Sequence, residues 1–419
     1  MEKQDFFEEW TTYAHKKILR ERDLDFKSII RNSELKLIAL TGIRRAGKSS
    51  VLMLLAQKLS KEGKKVAYIN LEDSRIKGDP AILDEILKWF GGEGFLLLDE
   101  ITSAQGWSGW LARTHELLKG TLRIIVSSSR SGLMFPYKPL RGRILSMEMY
   151  PLSFKEFLNF KSITAEKTTI GKGRIETALK EYLRFGGFPE VALTETELDR
   201  INLLNSYFRD IIGLDVAEAA HEDLSIVENF GRYIIESTSF SASKCLNFFK
   251  TLGYKIGKEK ILALEHYSQE SYLFFFNEIF SYNIKNRLQY PRQCYLGDTG
   301  FAYAISGKTD LGKLFENMVF LELKRKLPLH EICYWKNAAG REVDFVIKKG
   351  ADIHSLIQVA YTIETKETKE REVKALIECA EELGKKKGII ITKNINDTVI
   401  VDGISVTILP LMEWLTLSE

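Results

Sequence analysis

The chain has 419 residues and a mass of 48.0 kDa, room for about two to four domains with their own cores. Hydrophobic residues make up 45% and charged residues 28%, the balance of a globular chain rather than a disordered one. The formal charge of +3 is too small to imply nucleic-acid binding without a local patch, and four cysteines with no CxxC pair argue against zinc and suit a reducing compartment.

The start, MEKQDFFEEW, is charged and lacks the apolar stretch of a signal peptide. No uncharged apolar run reaches the roughly 18 residues of a membrane helix, so the expectation is a cytoplasmic protein with no membrane partner. Residues 35–41, LKLIALT, predict a short buried parallel strand. Residues 49–63, SSVLMLLAQKLSKEG, carry apolar positions at helical spacing and end on Gly63. Between them lies LTGIRRAGKSS, which fits G-x-x-x-x-G-K-[ST] with Gly42, Gly47, Lys48 and Ser49. Glycines let backbone N–H groups converge on phosphate oxygens, and the helix N-terminus adds partial positive charge. Gly42, Arg44, Arg45 and Ala46 form the first half of the expected cradle for ATP, and Gly47, Lys48, Ser49 and Ser50 the second. Lys48 would reach the β- and γ-phosphates, and the Ser49 hydroxyl would ligate Mg2+.

Such a loop calls for an apolar strand ending in an acid. Residues 94–107, GFLLLDEITSAQGW, supply it: Asp99 to hold Mg2+ through water, and Glu100 to orient or deprotonate the attacking water. The competing reading of Asp99-Glu100 is a helix cap. KKVAYINLED (64–73) predicts another parallel strand, and LRIIVSSSRSGLM (122–134) a fourth, followed by serines. Ser127 or Ser128 would touch the γ-phosphate or the attacking water, or else cap a helix; the two readings look alike in sequence. Four strands separated by helices predict a three-layer α/β domain.

In chain order, LTGIRRAGKSS, LLLDEITSAQGW, IIVSSSR, LRGRILSMEMYPLSFKEFL and YLRFGGFPEV resemble the AAA+ ATPases common in archaea and some bacteria, whose P-loop domain precedes a domain of uncharacterised function. The resemblance covers nearly the whole chain. It implies an AAA+ P-loop core (1–160), a helical lid (161–220), a winged helix (221–298) and a restriction-endonuclease-like PD-(D/E)XK domain (299–419). It further implies that Arg141 or Arg143 senses the γ-phosphate, in cis or from a neighbouring subunit of a homo-oligomer. The competing reading is two solvated arginines. Gly186-Gly187-Phe188-Pro189 resembles the GxP element of related lids, and is also a plain helix stop.

Residues 155–216 read as helical. From 227 to 298 three helices (ENFGRYIIESTS, SASKCLNFFKTLGY, GKEKILALEHYSQESY) precede YLFFFNEIFSYNI, read as a β-hairpin turning at Asn277-Glu278. Residues 244–260 hold five lysines against one glutamate, a local +4. Lys255, Lys258 and Lys260 are thus candidates for DNA phosphates, against the alternatives of a solvated face or a protein-docking module. The last third predicts an α-β-β-β-α-β order, with REVDFVIKKG and HSLIQVAYT as successive strands and VDGISVTILP as the final one. The family-like acids are Glu316 and Asp344. Where the third strand should carry Glu-x-Lys, it has Gln358-Val359-Ala360, and neither Lys336 nor Lys348 has spacing that assigns it the missing role. The expectation is an ATPase acting on DNA with a degenerate nuclease fold as scaffold. The alternatives are a nucleotide-regulated protein-interaction switch and an ATP-dependent nuclease.

Overall fold

The computed structural model describes residues 3–130, 138–164, 168–237 and 239–417, with backbone alone at 3, 286 and 288. The tail of the 122–134 stretch therefore lies partly outside the described residues. Two compact units form, one from residues 1–152 with 270–272, the other from 153–269 with 273–419.

The first unit is built on a parallel sheet of β1 (Leu37–Thr41), β2 (Val66–Asn70), β3 (Gly94–Asp99), β4 (Leu122–Ser128) and β5 (Ile144–Glu148), in the order β2-β3-β4-β1-β5. Its central strands are buried on both faces, which is why they read as continuous apolar runs. Ala39, Leu96 and Leu98 face one core, and Ile38, Leu40 and Leu97 the other. Sequence spacing located four of the strands. The fifth, ILSME, is a half-buried edge whose serine and glutamate interrupt the apolar pattern. The helix Lys3–Lys16 buries Phe6 and Phe7. Its Thr11 hydroxyl accepts from Tyr68 N–H (3.2 Å) and donates to Tyr68 C=O (3.3 Å), covering part of the edge that β2 would expose. No helix among the described residues is long and apolar enough to cross a membrane.

The second unit opens with helices Phe154–Phe160, Thr169–Phe185 and Glu197–Asp210. A capping box of Ser153 and Glu156 fixes the start of the first. Then come helix Leu224–Glu236, β6 (Ser239–Phe240), helices Ala242–Thr251 and Lys258–Glu270, β7 (Phe274–Asn277) and β8 (Arg292–Leu296). The three strands form an antiparallel sheet in the order β6-β8-β7. The expected hairpin at Asn277-Glu278 is corrected here: β7 stops at Asn277 and pairs with β8 beyond the helix Ile284–Gln289. Neither Asn277 nor Glu278 has the positive φ that a tight two-residue hairpin turn needs.

Helix Leu311–Lys326, β9 (Glu331–Lys336), β10 (Glu342–Lys349), β11 (Asp352–Ala360), helix Lys366–Glu382 and β12 (Lys387–Thr392) follow in the α-β-β-β-α-β order. With β13 (Asp397–Val401) and β14 (Ile404–Pro410) they make a six-stranded sheet, β13-β14-β12-β11-β10-β9. The single strand expected at 401–410 is likewise corrected. Asp402 (φ 50°) and Gly403 (φ 76°) turn the chain between β13 and β14, an Asp-Gly hairpin.

Candidate functional site

Because β4 lies between β1 and β3, the carboxyl ends of these strands bring three loops together, where ligands bind in open α/β sheets. Gly42 leaves β1 at φ 151°, and a Cβ there would sit 1.9 Å from the Met149 carbonyl oxygen, so only glycine fits. Gly47 (φ 99°) caps the helix Lys48–Lys61, aiming that helix N-terminus at the loop it follows. The Lys48 ammonium donates to the carbonyls of Gly42 (2.8 Å) and Ile43 (3.1 Å), and stands 3.9 Å from Glu100 Oε1. Arg44 pairs with Glu72 at 3.3 Å, Arg45 is exposed at φ 69°, Ala46 is buried, and Ser49 and Ser50 are half-buried at the helix start.

Asp99 ends β3 and is buried. Its Oδ2 accepts from the Tyr68 hydroxyl at 2.7 Å and its Oδ1 from the Ser127 hydroxyl. Glu100 adopts a left-handed conformation (φ 51°, ψ 54°), which glycine tolerates better, held by its N–H on Ser127 Oγ (2.9 Å) and its Oε2 on Ser129 N–H (3.1 Å). Burial pushes the Glu100 carboxyl up from the ordinary carboxylate range, and Lys48 opposes that shift. The structure thus brings Lys48, Asp99, Glu100 and Ser127 together. Ser127 has its one hydroxyl proton on Asp99 and an oxygen lone pair on the Glu100 N–H, so both of these bonds tie it to the two acids. Ser128 Oγ accepts from Arg130 N–H at 3.1 Å.

Arg141 and Arg143 lie elsewhere. The Arg143 carbonyl accepts from Leu37 N–H, at the amino end of β1 and opposite the glycine loop, and its guanidinium pairs with Glu116 at 3.1 Å. Arg141 is exposed two residues earlier. Sensing in cis is therefore corrected: a strand's length separates both arginines from the P-loop of their own chain. Sequence reasoning missed Tyr68 and Arg22. The latter donates to the carbonyls of Ala46 (2.7 Å) and Tyr150 (3.0 Å), tying the glycine loop to the segment before β1. A tyrosine inside a buried strand was a usable signal, because a buried phenol needs a partner. Arg22 carried none.

In the second unit, Lys255, Lys258 and Lys260 are all exposed, but Lys260 pairs with Glu222 at 2.7 Å. The GGFP turn is set by a residue distant in sequence. Gly187 N–H and Gly300 N–H donate to the buried Asp298 carboxylate at 2.7 and 2.9 Å, and a Cβ on Gly186 would fall 1.5 Å from its Oδ1.

The C-terminal acids also gather. Tyr295 donates to Glu316 at 2.7 Å, Asp344 Oδ2 accepts from Val359 N–H at 2.8 Å, and the Gln358 amide donates to Glu372 at 2.7 Å while accepting from Asp344 N–H at 3.1 Å. Burial pushes Glu316 up to about 7 and Asp344 well above its ordinary range. Lys336 pairs with Glu342 (2.9 Å) and Lys348 with Glu331 (2.7 Å). Glu372, from the helix after β11, was not foreseen.

Residues 34–158 match the family described as an AAA domain. Residues 176–312 and 311–414 match two domains of unknown function, DUF8612 and DUF4143. The chain is 32% identical over 367 residues to Uncharacterized protein MJ1544 of Methanocaldococcus jannaschii, covering 83% of this chain and 81% of that one. It is 23% identical over 414 residues to an uncharacterized protein of Haemophilus influenzae, covering 95% and 96% of the two. Partial likenesses to solved structures include AMPPCP-bound DnaA from Aquifex aeolicus (16% identity, 58% of this chain and 92% of that chain, TM-score 0.29) and C. elegans PCH-2 (15%, 64% and 66%, TM-score 0.27), scores too low to carry an argument. By its likeness to MJ1544 across most of both chains, this chain belongs to the MJ1544 family, and its residues 34–158 are an AAA domain.

Proposed function

We propose that this protein is a Mg-ATP-dependent ATPase that couples nucleotide binding and hydrolysis to a conformational change. The observation that carries the reading is the convergence of Lys48, Asp99 and Glu100 at adjacent strand ends, with Lys48 Nζ 3.9 Å from Glu100 Oε1. Backbone N–H groups from Gly42 to Ser50 would cradle the phosphates, and Lys48 would exchange its carbonyl partners for the β- and γ-phosphate oxygens. A carboxylate and a hydroxyl, Asp99 and Ser49, form an all-oxygen donor set that fits magnesium, and neither partner of Asp99 is a cation that would cancel its charge. The metal supplies charge neutralisation on the phosphates. Glu100, raised by burial and 3.9 Å from the Lys48 ammonium, takes the proton of the attacking water.

Lys48→Ala should abolish nucleotide binding, and Glu100→Gln should bind ATP normally while hydrolysing it at least about a hundredfold more slowly. Unchanged turnover in Glu100→Gln would remove Glu100 from the mechanism. The reading includes domain roles: an ATPase core, a helical lid, a winged helix and a degenerate restriction-endonuclease-like scaffold. The helix–strand–helix–helix–strand–helix–strand order of 224–296, with its small antiparallel sheet, supports the winged helix, and exposed Lys244, Lys250, Lys255 and Lys258 support DNA as its partner. The pairing of Lys260 with Glu222 removes one cation from that stretch and favours the second reading, a protein-docking switch. ATPase rates with and without single-stranded, duplex and branched DNA separate the two, since stimulation selects DNA.

A further inference from the structure

We propose that Tyr68 is a positioning residue for Asp99, and through it for the divalent cation that accompanies the nucleotide; this rests on the ATPase reading above. Tyr68 sits at the centre of β2 and is 1% exposed. In a parallel sheet, alternate residues share a face, and Tyr68 is paired in register with Leu97. Tyr68, Phe95 and Leu97 pack in one core, and Asp99, two residues past Leu97, faces the same side. The phenol therefore runs along the sheet to Asp99 Oδ2, where it donates at 2.7 Å.

With Ser127 on the other oxygen, each side of the carboxylate meets one neutral hydroxyl. That fixes its plane and leaves its negative charge for a cation. A carboxylate used as a metal ligand is oriented by such outer partners, and their loss typically costs about ten- to a hundredfold in metal affinity. The tyrosine is itself held. Thr11 bonds to both its backbone N–H and its C=O, and Trp10 meets its ring edge-on at 6.1 Å between centroids. The amino-terminal helix thus bears on Asp99 through one side chain. Packing alone would be served by phenylalanine, so the hydroxyl is the atom that distinguishes positioning from filling space.

The test is Tyr68→Phe in the full chain, titrated with a fluorescent ATP analogue in EDTA and across a magnesium series, alongside urea unfolding. Affinity in EDTA should match the wild type, while the magnesium needed for half of the cation-dependent gain in affinity should rise about tenfold or more. A Tyr68→Phe protein with the wild-type magnesium requirement would overturn the inference and leave the ATPase reading intact. A wild-type chain that binds the analogue equally with and without magnesium would overturn both. Thr11→Val keeps the phenol but loosens its strand, and should shift the requirement in the same direction by less. If Tyr68→Phe folds poorly, a wild-type requirement in Thr11→Val overturns the inference on its own.

Discussion

Ser127→Ala separates anchoring from phosphate sensing. The Ser127 side chain is fully buried, accepts from Glu100 N–H at 2.9 Å, and donates to Asp99 Oδ1. Alanine leaves the part-buried Glu100 N–H without its partner, at up to about 1–3 kcal/mol, and removes a donor from a carboxylate, at about 1.5–3 kcal/mol. The lost atom is small, so the cavity adds little, and the expected destabilisation of the first unit is about 3–5 kcal/mol. Urea unfolding followed by tryptophan fluorescence reads mainly that unit, because four of the six tryptophans (Trp10, Trp89, Trp107 and Trp110) lie in its core or against it. Hydrolysis should fall as well, since Glu100 keeps its left-handed backbone through that bond, while ATP affinity at saturating magnesium should change little. Stability within about 0.5 kcal/mol of the wild type, together with lost hydrolysis, would refute the anchoring argument and return Ser127 to the nucleotide.

Gly186→Ala places a Cβ 1.5 Å from Oδ1 of an Asp298 carboxylate whose two oxygens each accept from a backbone N–H, at φ 77°; it should cost the second unit about 3 kcal/mol or more in urea, and a change under about 0.5 kcal/mol would show that Asp298 can yield. Replacing Lys255, Lys258 and Lys260 with glutamate should weaken DNA binding alike for every sequence and flatten its salt dependence, leaving ATP affinity unchanged; binding that survives the change rules out this surface. Since Arg141 and Arg143 lie at the far end of their own sheet, a sensing role is left only in trans. Arg143→Ala mixed with Glu100→Gln should then recover some hydrolysis, and no recovery at any ratio would leave Arg143 a structural partner of Glu116.

What was legible in the sequence was whatever a strand or a loop must spell out locally. LIALT and GFLLLD are buried on both faces and so are uninterrupted, and a phosphate loop has few spellings. The hidden parts depend on partners distant in sequence. β5 is an edge and needs few apolar residues. Strand β7 carries apolar residues up to Asn277 but takes its partner from 292–296, so the nearest turn-like pair misled. Gly186 is required by Asp298, more than a hundred residues away, and the placement of Arg143 follows from which strand β5 joins. The Asp402-Gly403 turn was different, because its signal stood in plain view and the surrounding β-branched residues masked it.

The glutamine at 358 belongs to the same class, and it explains itself once Glu372 is beside it. An amide can accept and donate at once, and Gln358 accepts from Asp344 N–H at 3.1 Å while donating to Glu372 at 2.7 Å. A glutamate there could only accept, and would set two carboxylates in contact beside the buried Asp344. Gln358→Glu, which puts a carboxylate at this position, should therefore destabilise the second unit by about 2–4 kcal/mol at pH 8. The cost should shrink at pH 5, where the introduced carboxyl at 358 can take up a proton and supply the missing donor. Adding Glu372→Gln reverses the polarity of the pair, so the double variant should recover most of the loss, with a coupling above about 1 kcal/mol in a double-mutant cycle. Gln358→Glu alone should give no metal-dependent DNA cleavage, because Ala360 still leaves the lysine position empty. A single variant as stable as the wild type at pH 8, or a double variant no better than the single, would mean that the glutamine is not held there by Glu372.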